Sequence, residues 1–344
     1  MVITIKDVAK ETGLAISTIS KFMNGGNVRV ENKKKIEIAI ERLGYKPNEF
    51  ARSLRGAKTA TVGIIVDNLK AIFSAQIVGL IEKKLKSRGY SVLLGSHGND
   101  CKIAKEVVEL LVDKQVDAII IEPLTDGTEY LKMAEENEIP IISIDRVLDS
   151  KRYDSITTNS MLGVYDGVEY LIQNGHEKIA IIAATREGTM GINSGKERLR
   201  GYLMALEDYN IPVRKEFIVK GDFSFTSGCE SMKKIWNLSE KPTAILVSNY
   251  HMCLGMIAAT HELEIKIPED VSVVTFDDMQ FFENFNPKLT AIGQPIEAIA
   301  MHVEEVVLKR IAGDYSDFPL NLKLRTHFVE RDSVKKNYRK LNEV

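Results

Sequence analysis

Hydrophobic side chains in the first 45 residues recur every three or four positions, the spacing that places them on one face of a helix. The pattern predicts three short helices, the first beginning after Thr4, the second near Ile16–Asn24 and the third near Glu31–Leu43, each followed by glycine. Two helices joined by a tight turn and braced by a third form a helix-turn-helix unit. The side chains that we expect inside it are Ile5, Val8, Ala9, Thr12, Ile19, Phe22, Met23, Ile36, Ala39, Ile40 and Leu43.

A different pattern begins at Thr61, where short continuous apolar runs alternate with amphipathic stretches. Runs that are apolar on both faces are typical of parallel sheets covered by helices. Strands are predicted at Thr61–Asp67, Ser91–Leu94, Ala118–Ile121, Pro140–Ile144, Ser155–Thr158, Lys178–Ile182, Ala244–Val247 and Val271–Phe276. Helices are predicted at Ile77–Arg88, Ala104–Asp113, Leu162–Gln173, Glu197–Tyr209 and Met252–Leu263.

About 270 residues of this alternation exceed one doubly wound sheet, so the sequence predicts an α/β body of two Rossmann-like lobes around a cleft. The predicted parts are a helix-turn-helix headpiece (1–45), a basic connector (46–58), the two-lobed body (59–330) and a polar C-terminal tail (331–344).

Charge divides the chain in the same place. Residues 1–60 hold 12 Lys/Arg and 6 Asp/Glu, whereas the other 284 residues hold 34 and 42. A basic unit on an acidic body is typical of a nucleic-acid-binding module, although a solvated charged surface would give the same counts.

Composition excludes several other classes of protein. No apolar run reaches the ~18 residues that a membrane span needs, and the N-terminus lacks the regions of a signal peptide. Cys101, Cys229 and Cys253 have no paired spacing, which predicts reduced thiols. We therefore expect a cytoplasmic protein without a membrane partner.

The segment TIKDVAKETGLAISTISKFMN (4–24) resembles the headpiece of the lactose-repressor (LacI/GalR) family of bacterial transcriptional regulators. The similarity continues through ERLGYKPNEFARSLR (41–55) and returns in the body as VGIIVDN (62–68), IPIISIDR (139–146), KPTAILVSN (241–249) and IPEDVSVVTFDD (267–278). The resemblance covers about residues 3–330. It implies a body of the periplasmic-binding-protein type I fold, which dimerises and binds a small-molecule effector in its cleft.

The resemblance also implies how DNA is bound. Ile16, Ser17 and Lys21 match the positions that read base edges in the major groove, and residues 17 and 21 lie one helical turn apart. Leu54 matches an apolar wedge that enters the minor groove from a hinge helix formed on DNA. The complete set expected at the DNA interface is Thr4, Ile16, Ser17, Thr18, Lys21, Asn24, Tyr45, Asn48, Ala51, Arg52, Leu54 and Arg55.

Four polar residues of the body match effector contacts of the family: Asp145, Arg198, Asn249 and Asp277. Phe73, at the first strand–helix junction, is predicted to stack on the effector. Two departures change the expected ligand: Tyr250 replaces an aspartate, and Thr158-Asn159 replaces an Asp-Asn pair. The loss of two carboxylates leaves open a sugar, a ligand with fewer hydroxyl groups, or no ligand. Ala15 also replaces the usual serine or threonine cap of the second helix, which predicts a loss of roughly 0.5–2 kcal/mol of local stability.

Two further classes of partner or activity are disfavoured. One subgroup of the family takes a phosphorylated carrier protein as corepressor, but Glu297, Ala298 and Glu305 replace the expected contacts and only Lys309 matches.

An enzyme on a Rossmann-like fold is disfavoured because no G-x-G-x-x-G, complete P-loop or G-x-S-x-G motif occurs. The six histidines show no metal spacing with the cysteines, so no metal and no cofactor is expected. An exported solute-binding protein would share the body but needs a signal peptide and no headpiece.

Together these observations predict a regulator, more often a repressor in this family, that binds a pseudo-palindromic operator as a homodimer.

Overall fold

The computed structural model describes residues 3–23, 26–45, 58–124, 127–184 and 194–337. The chain divides into two compact units, Met1–Ala60 and Thr61–Val344, which are called the head and the body below.

The head contains three helices: α1 (Ile5–Thr12), α2 (Ile16–Met23) and α3 (Val30–Leu43). Val8, Ile19, Ile36 and Ala39 are buried where the three helices meet. Ten of the eleven side chains expected inside the head belong to this core, and Thr12 instead donates its hydroxyl to the Val8 carbonyl at 2.7 Å. The left-handed conformations of Gly13 (φ 69°) and Gly44 (φ 64°) end α1 and α3.

The first lobe of the body is built on a six-stranded parallel sheet. Its strands are β1 (Thr61–Val66), β2 (Ser91–Ser96), β3 (Ala118–Ile121), β4 (Ile141–Ile144), β5 (Asp154–Thr158) and β11 (Asn321–Leu324), in the spatial order β11-β5-β4-β3-β1-β2. Its helices are α4 (Ile72–Ser87), α5 (Cys101–Asp113), α6 (Lys132–Glu136) and α11 (Ile296–Ile311). α4 and α11 cover one face of the sheet, and α5 and α6 cover the other.

The second lobe repeats this plan. Its strands are β6 (Ile179–Ala184), β7 (Ile218–Gly221), β8 (Ala244–Val247), β9 (Ser272–Phe276), β10 (Thr290–Gly293) and β12 (His327–Val329), in the order β12-β10-β9-β8-β6-β7. β12 runs antiparallel to β10, and the other pairs are parallel. Its helices are α7 (Ser160–Gln173), α8 (Ser194–Asp208), α9 (Phe225–Trp236) and α10 (Tyr250–Glu262).

The chain passes between the lobes three times: from β5 to α7, from β10 to α11, and from β11 to β12. The order of the first five strands in each lobe places a switch point of the sheet between its first and third strands. Ligands of such sheets bind beyond the carboxyl ends of the strands at this point. The fold therefore directs the ends of both sheets toward one cleft.

The two-lobed α/β fold predicted from the sequence is confirmed. The eight predicted strands agree with the observed ones within two residues at each end, whereas the five predicted helices begin two to five residues too late. Three of these helices begin directly after a capping polar residue, Asp100, Asn159 or Asn249, and therefore ahead of the apolar repeat from which they were predicted.

Residues 331–337 differ from the expectation of a polar tail. Ser333 is fully buried, and its hydroxyl donates to the Val273 carbonyl at 2.6 Å. Arg331 forms a two-pronged ion pair with Asp278, at 2.7 and 3.0 Å. The backbone N–H of Asn337 also donates to the Asn174 carbonyl at 2.7 Å, so the body extends to at least residue 337. Among the described helices, none is long and apolar enough to cross a membrane.

Candidate functional site

One exposed face of α2 carries the residues expected to read DNA. Ile19 is fully buried in the core of the head, which fixes the rotation of the helix. Ile16, Ser17 and Lys21 are exposed, and Thr18 is half-buried. The structure thus presents an apolar, a hydroxyl and an ammonium side chain together on one accessible surface.

Two other residues assigned to DNA have structural contacts in the head. The backbone N–H and the hydroxyl of Thr4 donate to the Asp7 carboxylate at 2.8 and 2.7 Å, and these bonds lower the pKa of Asp7. Tyr45 packs against the core. The remaining residues assigned to DNA lie outside the described part of the chain: Asn24, Asn48, Ala51, Arg52, Leu54 and Arg55.

The two lobes of the body enclose a cavity of about 450 Å³. Several of the polar residues in its walls directly follow strands. Asp67, Glu122 and Asp145 follow β1, β3 and β4, while Asp277 and Gln294 follow β9 and β10. The lining residues are Asp67, Asn68, Ala71, Phe73, Ser74, Glu122, Pro123, Leu124, Asp145, Arg146, Val147, Ser194, Arg198, Asp222, Phe223, Ser224, Phe225, Asn249, Tyr250, His251, Asp277 and Gln294.

Asp145 and Asp277 occupy equivalent places in the two lobes, and both have left-handed backbones, with φ of 64° and 73°. Non-glycine residues rarely adopt this conformation, and aspartate tolerates it better than most. Asp277 accepts hydrogen bonds from Gln294 Nε2 at 2.8 Å and from the Tyr250 backbone N–H at 3.4 Å. Burial raises the pKa of Asp277, and the nearby Arg198 opposes that rise.

Arg198 projects from α8 into the cavity wall and is 4% exposed. Its Nη1 donates to the Ser248 carbonyl at 2.6 Å, and its guanidinium lies 3.7 Å from the centre of the Phe276 ring. Burial lowers the pKa of Arg198, and Asp277 and Asp145 oppose this effect. Its buried Nε has no hydrogen-bond partner among the described residues.

The start of α10 joins the lobes. The Asn249 side chain caps the helix by accepting a hydrogen bond from Met252 N at 2.9 Å. The hydroxyl of the next residue, Tyr250, accepts a hydrogen bond from Ile72 N, the first residue of α4 in the other lobe, at 2.7 Å. Tyr250, which replaces the expected aspartate, therefore bridges the cleft.

The first-lobe side of the cavity carries a cluster of three charged side chains, those of Asp67, Glu122 and Arg146. The Glu122 carboxylate accepts hydrogen bonds from Asp67 N at 2.9 Å and the Ser74 hydroxyl at 3.0 Å. Arg146 donates to the Pro123 carbonyl at 2.8 Å and forms ion pairs with Asp67 and Asp145 at 3.3 and 3.2 Å. Of the described lining residues, five carry carboxylates and two carry guanidinium groups, so the cavity is acidic.

Comparisons with known proteins decide the family. Residues 4–48 match the family model for bacterial regulatory proteins of the lacI family, and residues 168–334 match that for a periplasmic binding protein-like domain. The chain is 34% identical to the HTH-type transcriptional repressor PurR of Yersinia pestis (strain Pestoides F), over 96% of each protein. It is 33% identical to catabolite control protein A of Priestia megaterium, over 88% of this chain and 92% of that protein. The chain belongs to the lacI family.

Solved structures agree with this assignment to the lacI family. The lac repressor dimer bound to operator and the anti-inducer ONPF superimposes with a TM-score of 0.86 at 27% identity, covering 97% of this chain and 100% of that one. The complex of the transcriptional regulator CelR with cellobiose gives a TM-score of 0.72 at 26% identity, covering 96% of this chain and 99% of that one. The curated relatives described above are transcriptional regulators.

In this lacI-family protein, all five residues assigned to the effector line the cavity: Phe73, Asp145, Arg198, Asn249 and Asp277. Sequence reasoning missed several polar neighbours, among them Asp67, Glu122, Arg146 and Gln294. Their position in the sequence could have identified three of them, because Asp67, Glu122 and Gln294 directly follow β1, β3 and β10.

Proposed function

We propose that this lacI-family regulator is a cytosolic repressor, with no catalytic activity, which binds a pseudo-palindromic operator as a homodimer. A small molecule in the cleft modulates its affinity for the operator. The proposal is supported by the presence of two features in the same chain. One is the exposed face of Ile16, Ser17 and Lys21 on a helix-turn-helix head, and the other is a polar cavity between two lobes of the body. PurR is named a repressor, and the lac repressor is seen as a dimer on its operator.

DNA binding by the head follows from charge and geometry. Lysine suits the O6 and N7 acceptors of guanine, and serine can contact base or phosphate. Residues 1–60 carry twice as many basic as acidic side chains, 12 against 6. Binding to phosphates releases counterions, so affinity for the operator falls steeply with added salt.

The dimer is supported by an apolar surface of the first lobe. β2 is the edge strand of its sheet, and Leu93 and Leu94 on it are 37% and 46% exposed. Ile103 and Leu110 of the neighbouring α5 are 42% and 54% exposed. Apolar side chains clustered on an edge favour burial against another molecule, and a second copy of the chain supplies a matching surface.

The cavity favours an uncharged, hydrogen-bonding effector. Its carboxylates repel anions, and Arg146 already bonds to Asp67 and Asp145. Phe73 and Phe223 offer ring surfaces for the apolar face of a ligand. CelR binds cellobiose in its solved complex. A sugar or sugar derivative is therefore the class of effector that we propose for this chain.

The test of the proposed function is selection of bound sequences from a random duplex pool by the purified full-length protein, followed by a salt titration of the winning duplex. We expect a palindrome with a central CG step and a steep loss of affinity with salt. The absence of any enriched sequence, with or without neutral sugars, would contradict the proposal.

Leu54→Ala tests the proposed wedge of the hinge segment. We expect it to weaken binding to the selected operator by at least tenfold, because the apolar wedge stabilises kinked DNA, while binding to random DNA stays nearly unchanged. Fluorescence anisotropy with both duplexes measures the difference. Equal losses on the two duplexes would show that Leu54 has no role in specificity.

Asp277→Asn tests the cavity. Asparagine also tolerates a left-handed backbone, and its oxygen can still accept the bond from Gln294, so the fold should persist. We expect loss of any effect of ribose, galactose or cellobiose on operator affinity. Asp278→Asn is the matched control, since Asp278 pairs with Arg331 instead of lining the cavity. A response retained in Asp277→Asn would place the effector elsewhere.

A further inference from the structure

Glu122 is buried in the cavity wall with one unpaired oxygen. The residue is 2% exposed, and both of its described hydrogen bonds, from Asp67 N and from the Ser74 hydroxyl, reach Oε2. Oε1 is buried as well, and within the described ranges of the chain it has no hydrogen-bond partner. Native proteins leave few buried acceptors unpaired, and such groups are destabilising unless a ligand or water satisfies them.

The fold itself uses only half of this carboxylate. Oε2 fixes the turn after β1 and the start of α4, and the oxygen of a neutral amide would accept the same two bonds. Asp277 in the other lobe differs, because both of its oxygens accept bonds from the protein. The second oxygen of Glu122 is therefore not explained by the hydrogen bonds of the fold.

Charged and titratable groups surround Glu122 from each neighbouring element. Asp67 follows β1, and Asp145 and Arg146 follow β4, while His97 after β2 has its Nε2 2.9 Å from the Glu122 carbonyl oxygen. The pKa of Glu122 is raised to about 7, chiefly by burial and further by the nearby Asp145 carboxylate. The hydrogen bonds from Asp67 N and the Ser74 hydroxyl, and the charge of Arg146, lower this pKa and oppose the rise. Near neutral pH the side chain is thus present in both protonation states.

Arg198 has a buried hydrogen-bond donor without a described partner, whereas Glu122 has a buried acceptor without one. Arg198 lines the same cavity, and its buried Nε has no hydrogen-bond partner in the described chain. Arg198 requires an acceptor and ionised Glu122 requires a donor. A hydroxyl group is both, whereas an ammonium group cannot accept and a phosphate at neutral pH would face the surrounding carboxylates.

We propose that Glu122 is a specificity-determining residue whose Oε1 accepts a hydrogen bond from a hydroxyl group of an uncharged polyhydroxylated effector. The effector binds the ionised side chain, so its binding releases a proton. This inference rests on the proposed function, because it requires an effector in the cavity.

The first measurement is calorimetric titration of the full-length wild-type protein with arabinose, ribose, xylose, galactose, glucose and cellobiose, and with glucose 6-phosphate as the anionic probe. At least one neutral sugar should bind. Its Kd should be about tenfold larger at pH 6 than at pH 8, because only the ionised fraction binds. The measured heat should also vary with the ionisation enthalpy of the buffer, since a proton is released.

Glu122→Gln assigns the effect to this residue. Its amide oxygen can keep the two bonds at Oε2, while its amide nitrogen replaces the acceptor at Oε1. We expect binding at pH 8 to weaken by at least tenfold and the dependence on pH to disappear. His251 and Asp277 also line the cavity and titrate in both proteins, so only the difference reports Glu122. Glu129→Gln, the same charge change at an exposed position, should behave as wild type.

Several outcomes would overturn the inference. If Glu122→Gln binds the sugar with the affinity and pH profile of wild type, the inference fails while effector binding in the cavity stands. Binding of glucose 6-phosphate without any neutral sugar excludes the proposed class of ligand. If no probe binds, the inference fails together with the sugar effector proposed above, while operator selection remains unaffected. If Glu122→Gln does not fold, the wild type still tests the inference, because a sugar Kd that is the same at pH 6 and pH 8 would overturn it.

Discussion

Asp154→Ala lowers the free energy of unfolding of the body by about 3–5 kcal/mol, the typical effect of removing one partner of a buried ion pair. The side chains of Asp154 and Arg310 are 2% and 0% exposed. Asp154 accepts bonds from Arg310 Nε and Nη2 at 2.8 and 2.9 Å, and from the backbone N–H of Leu320 at 2.7 Å. These bonds raise the pKa of Arg310, so the variant leaves a charged guanidinium buried. Urea unfolding followed by circular dichroism measures the loss.

Asp317→Ala is the matched control for this prediction. Asp317 also bonds to Arg310, at 2.8 Å, but its side chain is 42% exposed, so its removal should destabilise the body much less than removal of Asp154. The double variant Asp154→Ala/Arg310→Met should be more stable than Asp154→Ala, because the buried guanidinium is removed together with its buried partner. Equal, small losses for Asp154→Ala and Asp317→Ala would show that the buried pair does not hold β11 against β5.

Gly255→Ala should destabilise the second lobe by about 1–3 kcal/mol, as overpacking does in other proteins. A Cβ atom at Gly255 would lie 1.9 Å from the Phe225 carbonyl oxygen, and one at Gly228 would lie 2.1 Å from the Met252 carbonyl oxygen. Because the obstacles are backbone atoms of α9 and α10, no side chain can rotate to relieve the contact. The helices must separate, and α10 carries Asn249 and Tyr250 at its cavity end. Thermal unfolding measures the effect.

Gly79→Ala provides the control with the same substitution in a helix. Gly79 lies in α4, and a Cβ atom there would meet nothing within 4 Å. Alanine should therefore stabilise the protein by roughly 0.5–1 kcal/mol, through its better helix propensity. If both glycine variants change stability in the same direction, the close approach of α9 and α10 is not what limits residue 255.

The parts of the fold that could be predicted from the sequence are those with a strong local signal. Buried strands such as Ala118–Ile121 are apolar throughout, and the helices of the head bury regularly spaced side chains. The edge strands β11 and β12 gave no such signal, since Asn321–Leu324 alternates polar and apolar residues and His327–Val329 is only three residues long. Their position depends on contacts distant in sequence, including the Asp154–Arg310 pair.

Contacts between residues distant in sequence were also the part of the cavity that could not be predicted. Residues Asp145, Arg198 and Asp277 were assigned through resemblance, and the structure places all three along the same cavity. Arg198 also stacks on Phe276, which lies 78 positions further along the chain. The bond between Ile72 and Tyr250 joins residues 178 positions apart. Hydrophobic periodicity carries no information about such pairs, so only the three-dimensional structure reveals them.

The bond from Ile72 N to the Tyr250 hydroxyl sets a cost for moving the lobes apart. It links the two lobes through the protein's own atoms, without a ligand. A ligand shifts a conformational equilibrium only by the difference between its affinities for the two states. An effector that binds only when this bond is broken must therefore supply the free energy of the bond, typically about 0.5–1.5 kcal/mol, from its own contacts.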